Sequence, residues 1–206
     1  MTHSLHRNGT CENLKDDYVI LVTPAVGINN VNSQDNLRDI LDKIFELKPT
    51  NIGSYETGTI FSGATIEQIK DQLSETPRVR CCFSDKEKIK ELVRYIKEKD
   101  FGISVTLSGL TEDVLNIAEE LNINPHSINL SLGIYGKTEK LPSEEVLEFT
   151  TMCGHGMISK HLVAKLIDDV RQGKTTIDKA SETIARPCVC GIFNTERAKQ
   201  LLKKYV

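Results

Sequence analysis

The chain contains no tryptophan, and aromatic residues make up only 5% of its 206 positions. Its core must therefore be built from Ile, Leu and Val. A chain of this length can bury a sizeable core without help from a metal. There is no basic stripe with interleaved aromatics, and the net charge is −3, so nucleic acid is excluded as the expected partner. No apolar run approaches the ~20 residues that a membrane span needs. The N-terminus, M-T-H-S-L-H-R-N-G-T-C-E-N, lacks the hydrophobic h-region of a secretory signal. It is expected to be a disordered tail over residues 1–16, on a cytoplasmic protein.

What the chain does have is cysteine: Cys11, Cys81, Cys82, Cys153, Cys188 and Cys190. In a reducing compartment, metal binding or redox chemistry is the better default for such a set than disulfides. Cys153 and His155 form one tight pair (M-C-G-H-G-M) and Cys188 and Cys190 a second (R-P-C-V-C-G), with a helical span between them. A helical hairpin returns the chain to its starting point, so the two pairs would meet in space. Three soft thiolates and an imidazole are a donor set that zinc or an iron–sulfur cluster selects. Gly154, Gly156 and Gly191 let the backbone turn sharply around such a centre and direct N–H groups toward sulfur. Helices beginning at Ser159 and Asn194 would add their positive ends.

The remaining pattern alternates strand and helix. Strands are expected at Asp17–Pro24, within 51–62, at Arg78–Phe83, Gly102–Leu107 and Ser127–Leu132. Helices are expected at Ser33–Leu47 (capped by Ser33 or Asp35), Ala64–Leu73, Lys86–Lys99 and from Thr111 to Leu121. This predicts an α/β domain over 17–141, with a short, mostly parallel sheet or a split β-α-β, ferredoxin-like one. From Pro142 onward the pattern is helical only, which marks 142–206 as a small all-helical metal-binding module.

Pair of ligands, helix, glycine turn, helix, pair of ligands, helix: this layout resembles the helical [2Fe–2S] domain of bacterioferritin-associated ferredoxin. The stretch K-L-I-D-D-V-R-Q-G-K-T-T-I-D-K-A matches its helix–Gly–helix segment. Cys153 and His155 stand for that family's first pair, and Cys188 and Cys190 for its second. The resemblance covers about the last 55 residues. His155 replaces a cysteine, and the second pair is C-x-C rather than C-x-x-C. It implies a [2Fe–2S] cofactor, with electron transfer or redox sensing and a redox protein partner. A Cys₃His set is equally suited to Zn²⁺, which would make the module a structural one.

Other signals are weaker. In a strand, Cys81 and Cys82 point to opposite faces, one into the core and the other toward a site as a further ligand or nucleophile. His161 is a substitute ligand or a surface residue. Gly58–Thr65, rich in glycine and hydroxyls, is a candidate anion turn. Asn29, Asn30, Ser62 and Ser108 would line a small-molecule rim if the strands ran parallel. An enzyme acting in that cleft, and a homo-oligomer, are further expectations. No nucleotide fingerprint and no catalytic triad are legible, and His126 has no evident partner.

Overall fold

The computed structural model describes residues 7–54, 56–73 and 78–206. In chain order the elements are α1 (Cys11–Leu14), β1 (Tyr18–Thr23), α2 (Ser33–Glu46), β2 (Asn51–Ser54), β3 (Gly58–Thr59), α3 (Ile66–Asp71), β4 (Val79–Phe83), α4 (Lys86–Lys99), β5 (Ser104–Ser108), α5 (Thr111–Glu120), α6 (Glu144–Thr150), α7 (Lys160–Arg171), α8 (Ile177–Ala185) and α9 (Thr195–Leu202). Side-chain caps set several helix starts. Thr65 and Gln68 form a capping box on α3, Asp85 caps α4, and Ser159, Thr176 and Asn194 cap α7, α8 and α9. α2 begins differently from expectation. Asn32 precedes it in the left-handed region (φ 62°) with no side-chain cap, and the Ser33 hydroxyl donates back to the Asn30 carbonyl.

The strand order is β3-β2-β4-β1-β5, and every pairing is antiparallel. The mostly parallel sheet is thus corrected. The helical crossovers β1-α2-β2 and β4-α4-β5 each skip a place, and the strand of the other crossover fills it. Interleaving two split β-α-β units converts parallel crossovers into antiparallel neighbours. Local periodicity cannot reveal this, because it records a crossover without recording what is inserted between its strands. A second correction concerns Ser127–Leu132, which forms no strand and pairs with none among the described residues.

Both faces of the sheet are buried, so β1 reads as a continuous apolar run rather than an alternation. Tyr18, Ile20, Val22, Ile52, Val79, Cys81 and Phe83 pack on α2, α4 and α5 through Leu37, Ile40, Ile44, Ile89, Leu92 and Ile117. On the opposite face, Val19 and Cys82 join Phe149, Met152, Val163, Ile184, Ile192, Phe193 and Leu201 of the C-terminal helices. The helical module is therefore the second layer over the sheet.

A buried carboxylate ties the chain ends to this arrangement. Asp17, 2% exposed, accepts from Arg7 Nη1 at 2.7 and 2.6 Å, from Arg197 Nη1 at 3.1 Å and from Asn194 Nδ2 at 3.0 Å. Arg197 Nη2 also donates to the Asn8 carbonyl and to Asn13 Oδ1. Residues 7–16 are therefore ordered, against the expected tail, whose residues 1–6 lie outside the described residues. A single arginine recruited to a buried acid leaves no periodic trace in sequence. Asp17→Ala would strand two guanidiniums and is expected to cost about 3–5 kcal/mol, read as a lower urea midpoint at unchanged slope.

Candidate metal centre

α6 ends at Thr151, and Met152 is drawn into the core beneath it. Cys153-Gly154-His155-Gly156 then forms a tight turn, with Gly154 and Gly156 in the left-handed region (φ 63° and 68°). Ile158 anchors the turn, and Ser159 starts α7. α7 and α8 reverse at Gly173 (φ 66°), and the chain returns at Pro187 into Cys188-Val189-Cys190-Gly191. The hairpin brings the two pairs together. Cys188 Sγ lies 3.9 Å from Cys190 Sγ, Cys190 Sγ lies 3.6 Å from His155 Nδ1, and the Cys188 and Cys153 thiols are near enough to shift one another's protonation. The three cysteines are fully buried, whereas His155 is exposed.

The polarity of the cluster follows from these contacts. The Cys188 thiol keeps its proton in contact with its two neighbours, its one S–H facing one sulfur at a time. This contact, supported by backbone N–H groups of His155 and Met157, brings Cys153 down to about 6. The same contact, supported by the N–H of Ile192, brings Cys190 down to about 6. Cys188 is correspondingly pushed well up, because it holds the proton that the other two share. The left-handed glycines at 154 and 191 turn the following backbone so that the next N–H points back at sulfur. The N–H donors identified here thus lie in the turns. The side chains of the first turn of α9, Asn194 and Arg197, bind Asp17.

The Cys188–Phe193 segment is seated directly on sheet backbone. A Cβ on Gly191 (φ 71°) would fall 2.2 Å from Gly53 N and 2.3 Å from the Ile52 carbonyl carbon. Asn51 Nδ2 donates to the Phe193 carbonyl at 3.0 Å, and Thr195 Oγ1 to the Thr50 carbonyl at 3.0 Å. Thr50, Asn51 and Gly53 were not singled out from sequence. A glycine inside a strand is the one signal of close backbone approach that could have found them. Cys82 packs under this segment, its sulfur 3.1 Å from Thr50 Oγ1 and 3.8 Å from the Gly191 carbonyl. Burial pushes its thiol up to about 12. Cys81 lies on the opposite face, also pushed up by burial. Cys82 is thus packed between Thr50 and the Gly191 carbonyl.

The other candidates separate. Because the sheet is antiparallel, β1 ends beside the start of β5, so Asn29 and Ser108 lie at opposite ends of that strand. Ser62 follows β3 at the far edge. Asn29 and Asn30 close their own loop, and Ser62 closes the turn at Thr59, so the small-molecule rim does not assemble. The hydrogen bonds of Gly58–Thr65 are likewise spent on β2, within the turn and on the α3 cap. His161, His126 and Cys11 are exposed and lie outside the cluster. Among the described residues, no three His, Cys, Asp or Glu side chains are already set as a metal-ion site. The Cys153–Cys188–Cys190–His155 cluster is a chain of pairwise contacts, and closing it on one ion takes a side-chain adjustment.

Comparison with protein-family models, with curated proteins and with solved structures finds no match to this chain.

Gly191→Ala combines a disfavoured backbone with a backbone clash, so it is expected to cost at least about 2 kcal/mol. Gly156→Ala, with open space around the new methyl, should cost only about 1 kcal/mol. Thermal unfolding of the two variants side by side checks the difference.

Proposed function

We propose that this protein binds a metal ion through Cys153, His155, Cys188 and Cys190, and that the ion is a single tetrahedral one of the zinc class. The observation that carries this reading is the spacing of the donors. Zinc–sulfur and zinc–nitrogen bonds of ~2.3 and ~2.05 Å, set tetrahedrally, imply S···S of about 3.8 Å and S···N of about 3.6 Å. The corresponding gaps here are 3.9 and 3.6 Å. Contacts also cross between the pairs: Cys190 meets His155, and Cys188 meets Cys153. A two-iron cluster would hold each pair on its own metal and separate the pairs. Two donors already biased toward thiolate, N–H groups aimed at sulfur and sharply turning glycines fit the needs of a cation–thiolate complex. Bound there, the ion would fasten the 152–157 turn to the 188–193 segment, and through Gly191 and Asn51 to the sheet.

The [2Fe–2S] reading, with electron transfer or redox sensing, has one observation in its favour: α7, the Gly173 turn and α8 reproduce the expected helix–glycine–helix layout. Metal analysis of anaerobically purified protein distinguishes the two. One zinc per colourless chain supports the single-ion site, and iron with labile sulfide and visible colour supports the cluster. Absence of any stoichiometric metal, with no uptake of zinc or cobalt(II), overturns both. Cys188→Ser is expected to lose the metal.

The proton inventory gives a second test. Cys153 and Cys190 are held below their ordinary value, so at neutral pH Cys188 is the thiol that must give up its proton. Zinc loading near pH 7.5 should release about one proton per ion, and occupancy should fall as the pH drops through about 6. For the metal-free chain the two depressed thiols bind fewer protons folded than unfolded between about 6 and 9. Their contribution to stability is therefore present above that window and is lost as the pH falls through it.

A further inference from the structure

β5 is the outer strand of the sheet, and the chain beyond α5 runs beside it as Ser127-Ile128-Asn129-Leu130-Ser131-Leu132. Alternate residues of this stretch are apolar, which is the pattern of a half-buried strand. Yet Ile128, Leu130 and Leu132 are 60%, 65% and 85% exposed. Among the described residues the backbone of Ser127–Leu132 makes no hydrogen bond to another element. The stretch does not sit on β5, because a cavity of about 940 Å³ lined by Val105–Ser108 and Ile128–Ser131 lies between them. Paired strands stand only ~4.8 Å apart and leave no such space. Gly133 and Gly136, both at positive φ, then turn Ile134 and Tyr135 outward, 59% and 81% exposed.

These five side chains leave roughly 600 Å² of apolar surface open, at the upper end of what a monomer shows as one patch. A standard stable interface takes ~800 Å² from each partner, of which about 60% is apolar, so these side chains can supply the apolar share.

We propose that a second copy of this chain covers this surface, with the two Ser127–Leu132 stretches pairing antiparallel about a two-fold axis. An antiparallel pair is the only strand pairing such an axis allows, and it is self-complementary: residue i meets j as j meets i. Both sets of idle backbone groups are then satisfied. Alternation places Ile128, Leu130 and Leu132 of both copies on one continuous face. The contact closes at two copies, so it does not propagate into a fibre.

Sedimentation equilibrium of the full chain over the micromolar range is expected to show a dimer. The double variant Leu130→Asp, Leu132→Asp should weaken self-association by about a hundredfold or more, since it sets like charges across the axis. Both side chains are exposed, so its unfolding temperature at low concentration should match wild type. Amide exchange at 127–132 should slow as concentration rises. A wild-type chain that stays monomeric at its highest soluble concentration overturns the proposal, as does a variant that still dimerises. Protection of these amides in dilute monomer also overturns it, because the stretch would then be a sixth strand of its own sheet.

Discussion

The carboxylate of Asp17 sits where three parts of the chain must agree. It opens β1, takes Arg7 from the N-terminal segment, and takes Arg197 and Asn194 from the start of α9. A buried anion is tolerated only when it is fully paired, and here the partners come from opposite ends of the sequence. The geometry of the second layer follows. Once Asn194 is fixed against Asp17, the turn before it, from Cys188 to Phe193, has only one course across β2. Arg7 Nη2, donating to the Ile192 carbonyl, holds the same turn from the other side. Specificity of register, more than net stability, is what such a network contributes.

The candidate centre inherits its precision from that seat. Three of its four donors are cysteines within the packed core, and the fourth, His155, is on a glycine-flanked turn open to solvent. The arrangement divides two tasks. Sheet-facing residues, Gly191 and the strand under it, locate the C-x-C pair. The hairpin of α7 and α8 brings the other pair to it.

Much of this was legible in sequence, for identifiable reasons. Periodicity located α2 and α4, because each buries one stripe, and Ser159 and Asn194 marked the starts of α7 and α9. The meeting of Cys153, His155, Cys188 and Cys190 was legible because a hairpin makes it a local matter. Strand direction was not, since β4 between β1 and β2 is a long-range insertion. The two-sided burial of β1 was visible as an unbroken apolar run, yet its meaning needed the second layer. Ser127–Leu132 carries a strand's alternation without a strand's partner, so pattern and structure part where pairing lies outside the single chain's own contacts. Asn29, Asn30 and Ser62 looked like a rim only because the sheet was taken as parallel.

One consequence concerns the order in which the protein is made. The face of the sheet formed by Val19 and Cys82 has its cover, Ile192, Phe193 and Leu201, at the far end of the chain. During synthesis, therefore, a nascent sheet already packed on α2 and α4 lacks that part of its cover until Ile192–Leu201 clear the ribosome. That interval is when such a chain is most open to aggregation and most in need of a chaperone.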